Sequence, residues 1–252
     1  MTLSIAYIIT FFMVSLRLGT MFFMIPVFGG NFLPLQIRIL LVFVIAVLIV
    51  PSVPMVGFDG INLWQIAFYA VGEIIVGTLL GVSVRAFFAI IEVAGQMISR
   101  DMGLMMAQQF DPSSGTNSNM MGVILFYTAT ILFFIVGGHH HVIRALVMSF
   151  QIVGIAKESL VVGNIRSIMS ILGQVFALSV SIAAPFIAIN FIITLAFGVL
   201  GKVAPKINVM LISFSFRIVA GLIILLVTAN LIFNFLLHYS EEIPNSMLEF
   251  LM

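Results

Sequence analysis

The chain has 252 residues, of which 62% are hydrophobic and 8% charged, and its mean hydropathy is +1.29. A water-soluble domain carries about a quarter charged residues, so a soluble globule is excluded. A net charge of +1 leaves no basic excess to neutralise phosphates, and the absence of cysteine removes disulfides, thiolate–zinc sites and thiol catalysis.

The remaining class is a membrane protein. A hydrocarbon core of ~30 Å takes about 20 mostly apolar residues to cross. Six stretches qualify: Ser4 to Ile25, Ile37 to Val50, Trp64 to Ile91, Gly122 to Phe150, Ile168 to Leu200 and Ile207 to Leu237. The second is short unless it continues through Pro51; the third, fourth and fifth are long enough to tilt, kink or break. The first has no cation before Arg17 and no small-residue cleavage site, so it reads as a retained helix and not a signal peptide. Pro26, Gly29, Gly30 and Pro34 end it; Pro51, Pro54, Gly57 and Gly60 follow the second stretch. Gly201, Pro205 and Asn208 make a tight last hairpin. Backbone buried in lipid must satisfy its own hydrogen bonds, and barrel strands need only ~10 residues, so the fold is all-α, built of about six apolar segments in kinked helical hairpins. The hairpin carries Lys202, Pro205 and Lys206 with no acid, while Glu241, Glu242 and Glu249 follow the last segment. The positive-inside rule puts the hairpin in the cytoplasm and both termini outside.

Ionisable groups inside apolar segments are costly and face a bundle interior, a partner or water. Arg17, Glu73 and Arg217 are such charges. Arg85, Glu92 and Gln96 form a buried polar stripe on one helix face, which Ser99 and Gly103 continue. The stripe is either a surface that docks on another subunit or lines a conduit, or an internal ion-pair ladder. Gly77 and Gly81 are a small-xxx-small pair that lets helices approach closely. The stretch from Gly95 to Gly122 is the most informative. Pro112 disfavours helix before it, so the helix ends near Asp111, and Ser113 to Asn119 is a small polar loop. Met102, Met105 and Met106 flank it on one side, Met120 and Met121 on the other. Methionine fills irregular gaps and repacks, so loop and collar suit a deformable plug, or else an ordinary loop over core methionines. His139, His140 and His141 point about 100° apart on a helix and do not converge on a metal. No nucleophile–base spacing, phosphate-cradling Gly loop or H-E-x-x-H is present, so no enzyme chemistry and no cofactor is expected. Trp64 reads as an interface anchor.

The motifs together resemble the FliR family of the flagellar type III secretion export gate, whose virulence counterpart is the SctT family. The resemblance is carried by Arg17-Leu18, Ile25-Pro26-Val27-Phe28, Pro34, Arg38, Pro51-Ser52-Val53-Pro54, Glu73 through Gly77 to Gly81, Met102-Gly103-Leu104, Phe110-Asp111-Pro112, Gly137-Gly138-His139, Pro185, and Leu200 to Asn208. It implies a non-enzymatic, hetero-oligomeric subunit in the bacterial inner membrane at the flagellar basal body. Its partners would be FliP and FliQ family subunits, FlhB and FlhA, membrane lipid and unfolded export substrates, with no nucleic acid. Residues 1–160 would be FliP-like and residues 161–252 a FliQ-like hairpin with an acidic tail. The loop 105–122 would plug the channel, sealed by Met102, Met105, Met106, Phe110, Asp111, Pro112, Ser113, Ser114, Gly115, Met120 and Met121. Arg100-Asp101 stands where other members of the family can be apolar, and the Gly-His pair is expanded to three histidines. The rival reading is an ion-coupled secondary transporter using Glu73, Arg85 and Glu92.

Overall fold

The computed structural model describes residues 5–29, 33–54, 62–104, 119–155, 165–204, 206 and 208–249. Among them the chain is helical without strands: α1 (Ile5–Met24), α2 (Pro26–Gly29), α3 (Leu35–Ile49), α4 (Leu63–Asp101), α5 (Met120–Ile135), α6 (Gly138–Ile152), α7 (Ile165–Val203) and α8 (Val209–Glu249). A 3₁₀ turn, Val50–Ser52, extends α3, so the second stretch does run on through Pro51 and reaches 18 residues. Five helices are long and apolar enough to cross a membrane, and α5 with α6 gives a sixth, broken span. Gly137 makes that break with φ +77°, a left-handed conformation that a Cβ disfavours.

The residues form two compact units by contact, each drawn from separate parts of the chain. The first comprises Met1–Phe87, Phe134–Leu172 and Tyr239–Met252. Its core is a stripe of Val14, Leu18 and Met21 on α1, continued by Ile25 just past its end, all at 0% exposure and spaced three or four residues apart as one helix face requires. Val42, Ala46 and Ile49 of α3, Val76, Leu80 and Val84 of α4, and Val142, Ala145 and Leu146 of α6 are also buried in this unit. Gly77 and Gly81 allow α4 its close approach to α1: a Cβ at Gly77 would collide with Thr20 Oγ1 and the Arg17 carbonyl, and one at Gly81 would lie 2.6 Å from Met24 Cβ. Arg38 bridges the connection into α3, donating to the carbonyls of Leu33 and Gly29 at 2.8 Å each.

The second unit comprises Phe88–Phe133 and Gly173–His238. Phe88 packs tilted and edge-on between Phe126 and Phe133 of α5, with ring centroids 5.7 and 5.6 Å away. Ser179 of α7 donates to the Ile90 carbonyl of α4 at 2.9 Å. Helices α7 and α8 form the antiparallel hairpin that their short turn requires. Gly201 faces Val209, Phe197 stacks on Phe216, and Arg217 reaches Thr194, a progression that only antiparallel neighbours produce. Asn208 caps the return, its Oδ1 accepting from Leu211 N at 3.3 Å. Pro205 lies outside the described residues, and Lys202 and Lys206 are exposed. The last helix does not stop at Leu237 but continues to Glu249 through Pro244, so the acidic tail is largely helical.

Candidate functional site

Two constellations stand out against the apolar background. The first is a buried ion pair. Arg17 is fully buried in the middle of α1, where only a complete set of partners makes a guanidinium tolerable. Its Nε donates to Glu73 Oε2 at 2.5 Å, its remaining nitrogens to Ser149 Oγ and the Val153 carbonyl at 3.1 Å each, and its Cζ lies 4.0 Å from the centre of the Phe150 ring. Arg17 therefore ties α1 to α4 and to the end of α6. The sequence marked both charges as misplaced, but their separation in the chain concealed that each answers the other.

The second is the exit from α4. The helix does not run to Asp111. It closes at Asp101, because Gly103 takes φ +77° and Leu104 N reaches back to the Ser99 carbonyl at 3.0 Å while Gly103 N reaches Arg100 O at 2.9 Å. That pair of bonds is a glycine C-cap, and it ends the helix well before Pro112 has any influence. Residues 105–118, with Met105, Met106, Phe110, Asp111, Pro112, Ser113, Ser114 and Gly115, lie outside the described residues. Of the flanking methionines, Met102 and Met121 are buried and Met120 is 56% exposed.

The chain returns at Asn119, and the return point is fastened to α4. Ser99 donates to Asn119 Oδ1 at 3.2 Å and accepts from Met121 N at 3.1 Å. Asn119 Oδ1 also caps α5 by accepting from Gly122 N at 3.0 Å. Gly95 and Gly122 meet here backbone to backbone: a Cβ at Gly95 would overlap Gly122 Cα. Both limits of the informative stretch thus form one close helix crossing. Ser99, which continues the polar stripe by spacing, is fully buried, unlike Arg85, Glu92 and Gln96, and its hydroxyl serves the α5 entry. Asn119 was read only as the end of the loop, although an Asn just before an apolar helical run is a capping signal.

In the chain taken alone the polar stripe is uncovered. Arg85, Glu92 and Gln96 are exposed, and Arg100 continues them along the same helix. They form no ladder with one another, because the helix turns this face away from the groups packed on it. Glu73, buried on Arg17, does not join Arg85 and Glu92 in one ion site. Arg217 lies in the second unit and donates to Thr194 at 3.2 Å. His139 packs against the Phe134 and His140 rings, with centroids 5.2 and 4.0 Å away. Among the described residues no group of three His, Cys, Asp or Glu side chains gathers to hold a metal.

Comparison with known proteins decides what the arrangement belongs to. The family described as "Bacterial export proteins, family 1" matches residues 8–243. The chain belongs to that family. Relatives in it include the flagellar biosynthetic protein FliR of Pectobacterium carotovorum subsp. carotovorum, 27% identical over 92% of this chain and 89% of that protein. The FliR of Bacillus subtilis (strain 168) is 26% identical over 88% and 87%. The surface presentation of antigens protein SpaR of Shigella sonnei is 23% identical over 87% and 85%. The bacterial export family membership spans both units, so the ion pair and the α4 exit both lie inside the matched region.

Within this export family member the Ser99 tether makes a measurable expectation. Ser99→Ala removes one acceptor and one donor at a buried position, a loss of about 1–2 kcal/mol. Hydrogen exchange at the Met121 amide of the solubilised protein should then accelerate by roughly 5- to 30-fold. Unchanged exchange there would mean that Ser99 does not hold the start of α5.

Proposed function

We propose that this chain is a non-enzymatic subunit of the flagellar type III secretion export gate, helping to form and seal the channel through which unfolded flagellar proteins leave the cell. The observation that carries the reading is the export-family match over residues 8–243 together with FliR relatives aligned along nearly their whole length. The apolar helices support a membrane location, and the flagellar relatives favour the bacterial inner membrane at the basal body. The exposed Arg85, Glu92 and Gln96 on an otherwise apolar helix favour a protein or channel neighbour over lipid, because each charge at mid-bilayer costs about 2.5–3.5 kcal/mol on insertion scales. The partners of the reading are FliP and FliQ family subunits, FlhB and FlhA. Its two parts are residues 1–160 as the FliP-like portion and residues 161–252 as the FliQ-like portion, with Lys202, Pro205 and Lys206 at a cytoplasmic hairpin. A transporter built on Glu73, Arg85 and Glu92 lacks support, since those groups do not converge.

Affinity purification of the chain from its own flagellated cells tests the assignment. It should bring down two other small hydrophobic proteins, and the chain expressed without them should not accumulate. Recovery as a stable monomer or homodimer would overturn the gate reading.

In the same reading the loop 105–122, held at Leu104 just before it and at Asn119 within it, serves as the plug. Deleting most of that segment should raise small-solute permeability of cells that assemble the complex, with complex yield unchanged. An assembled deletion complex that leaks no more than wild type would refute the plug.

A further inference from the structure

One polar cluster in the second unit is used neither by the ion pair nor by the Ser99 tether. Asp101, the last residue of α4, Asn190 of α7 and Arg217 of α8 line a single cavity together with Met102, Phe186 and Gly221. The cavity measures ≈ 10 Å³, no more than one water needs. Asp101 lies in the field of Arg100 and, less strongly, of Arg217, and bonds to the Asn190 side chain. Asp101 Oδ2, Asn190 Oδ1 and Arg217 Nε are buried and without a protein partner among the described residues: two acceptors and one donor round one small space. Arg217 also has a second anchor in Thr194, which fixes it across the α7–α8 hairpin.

The cluster sits at the root of residues 105–118. Immediately after Asp101, Met102 is 2% exposed and lies against α8 where a Cβ on Gly221 would come within 2.5 Å of its Cγ. Gly103 then turns the chain beside Phe214, whose ring edge would be 2.9 Å from an added Cβ. Apolar contact alone gives this seat little direction, since Met repacks readily. A carboxylate and a guanidinium that line one small, partly buried space attract more strongly than in bulk water and favour one arrangement. We infer that Asp101 and Arg217, linked through Asn190, are positioning residues that hold the root of residues 105–118 against the C-terminal hairpin. The consequence for leakage rests on the plug reading; the seating itself does not.

The native chain has no Cys, so a Met102→Cys, Gly221→Cys pair reports the seating directly, its side chains being within disulfide reach. The pair is placed in the full chain within its assembled complex, and oxidation is followed over time. Asp101→Asn or Arg217→Gln should slow disulfide formation by about tenfold, and the exchanged pair Asp101→Arg with Arg217→Asp should restore it to within about twofold. Permeability is measured in parallel on variants carrying the native Met102 and Gly221. Slower cross-linking with increased leakage supports both seating and plug. Slower cross-linking without leakage supports the seating and refutes the plug. Equal cross-linking in all variants overturns the proposal. Where a single variant does not accumulate, the exchanged pair decides: wild-type cross-linking supports the seating, and failure to accumulate or to cross-link overturns it.

Discussion

Arg17→Ala and Glu73→Ala should each remove most of the chain from the membrane fraction. The pair is closed off from water on every side, with Arg17 at 0% and Glu73 at 3% exposure, and it joins α1 to α4. Deleting either member strands the other charge among apolar residues, a loss of about 3–5 kcal/mol, against total stabilities of about 5–15 kcal/mol for ordinary domains. The arginine variant also strips Ser149 and the Val153 carbonyl of their donor and leaves a hole beside Phe150. The double replacement Arg17→Met, Glu73→Leu removes both charges together and keeps apolar volume, so it should accumulate better than either single variant. Quantitative blotting of membranes and of the assembled complex measures this. Single variants at wild-type level would mean that water or a partner reaches the pair, against its burial in the chain.

The second large effect is expected from Gly95→Val. The added side chain has to enter the space of Gly122 Cα, and backbone cannot rotate aside as a side chain can. Overpacking of a well-filled core costs about 1–3 kcal/mol when side chains yield; here α4 and α5 must separate. The Ser99 bonds to Asn119 and Met121 should break with them, and the thermal midpoint of the complex should fall by several degrees. Gly72→Val, in the same helix with nothing within 4 Å of its Cβ position, is the matched control and should be near neutral. Similar midpoints for the two variants would show that the crossing is loose.

The apolar stretches were legible because hydropathy reports directly what each helix buries, and Pro and Gly mark where helices stop. The break at Gly137 lies in a stretch long enough to break, whereas the helix runs on through Pro51, and Pro185 and Pro244 sit inside helices, so proline alone did not mark the ends. The end of α4 was not legible. Pro112 is the louder breaker in the sequence, whereas the decisive event is a positive φ at Gly103, closed by the backbone bonds of Gly103 and Leu104, at a position where Phe214 would crowd any Cβ. Arg17 and Glu73 were recognisable as charges out of place, but pairing requires knowing which helices touch. The spacing of Arg85, Glu92 and Gln96 shows that they share a face, and the structure leaves that face exposed in the chain taken alone; spacing by itself does not say what covers it. The tie of Ser99 to Asn119 was hidden for a related reason, since a serine near exposed neighbours by periodicity is turned inward only when a second helix arrives beside it.

The face of α4 that carries Arg85, Glu92, Gln96 and Arg100 also bears on how many copies of the chain a cell can keep. Lipid satisfies the bare apolar sides of α7 and α8, whose candidate spans are each only 17% buried, but it does not solvate those charges cheaply. A copy without its neighbours is therefore held in a less stable state, which opens more often and is cleared faster by membrane proteases. Binding partners that recognise only the folded form lower that population by mass action. In the export-gate reading, copy number would then follow the supply of partners rather than the rate of synthesis, and surplus chain would be removed before an incomplete assembly accumulates.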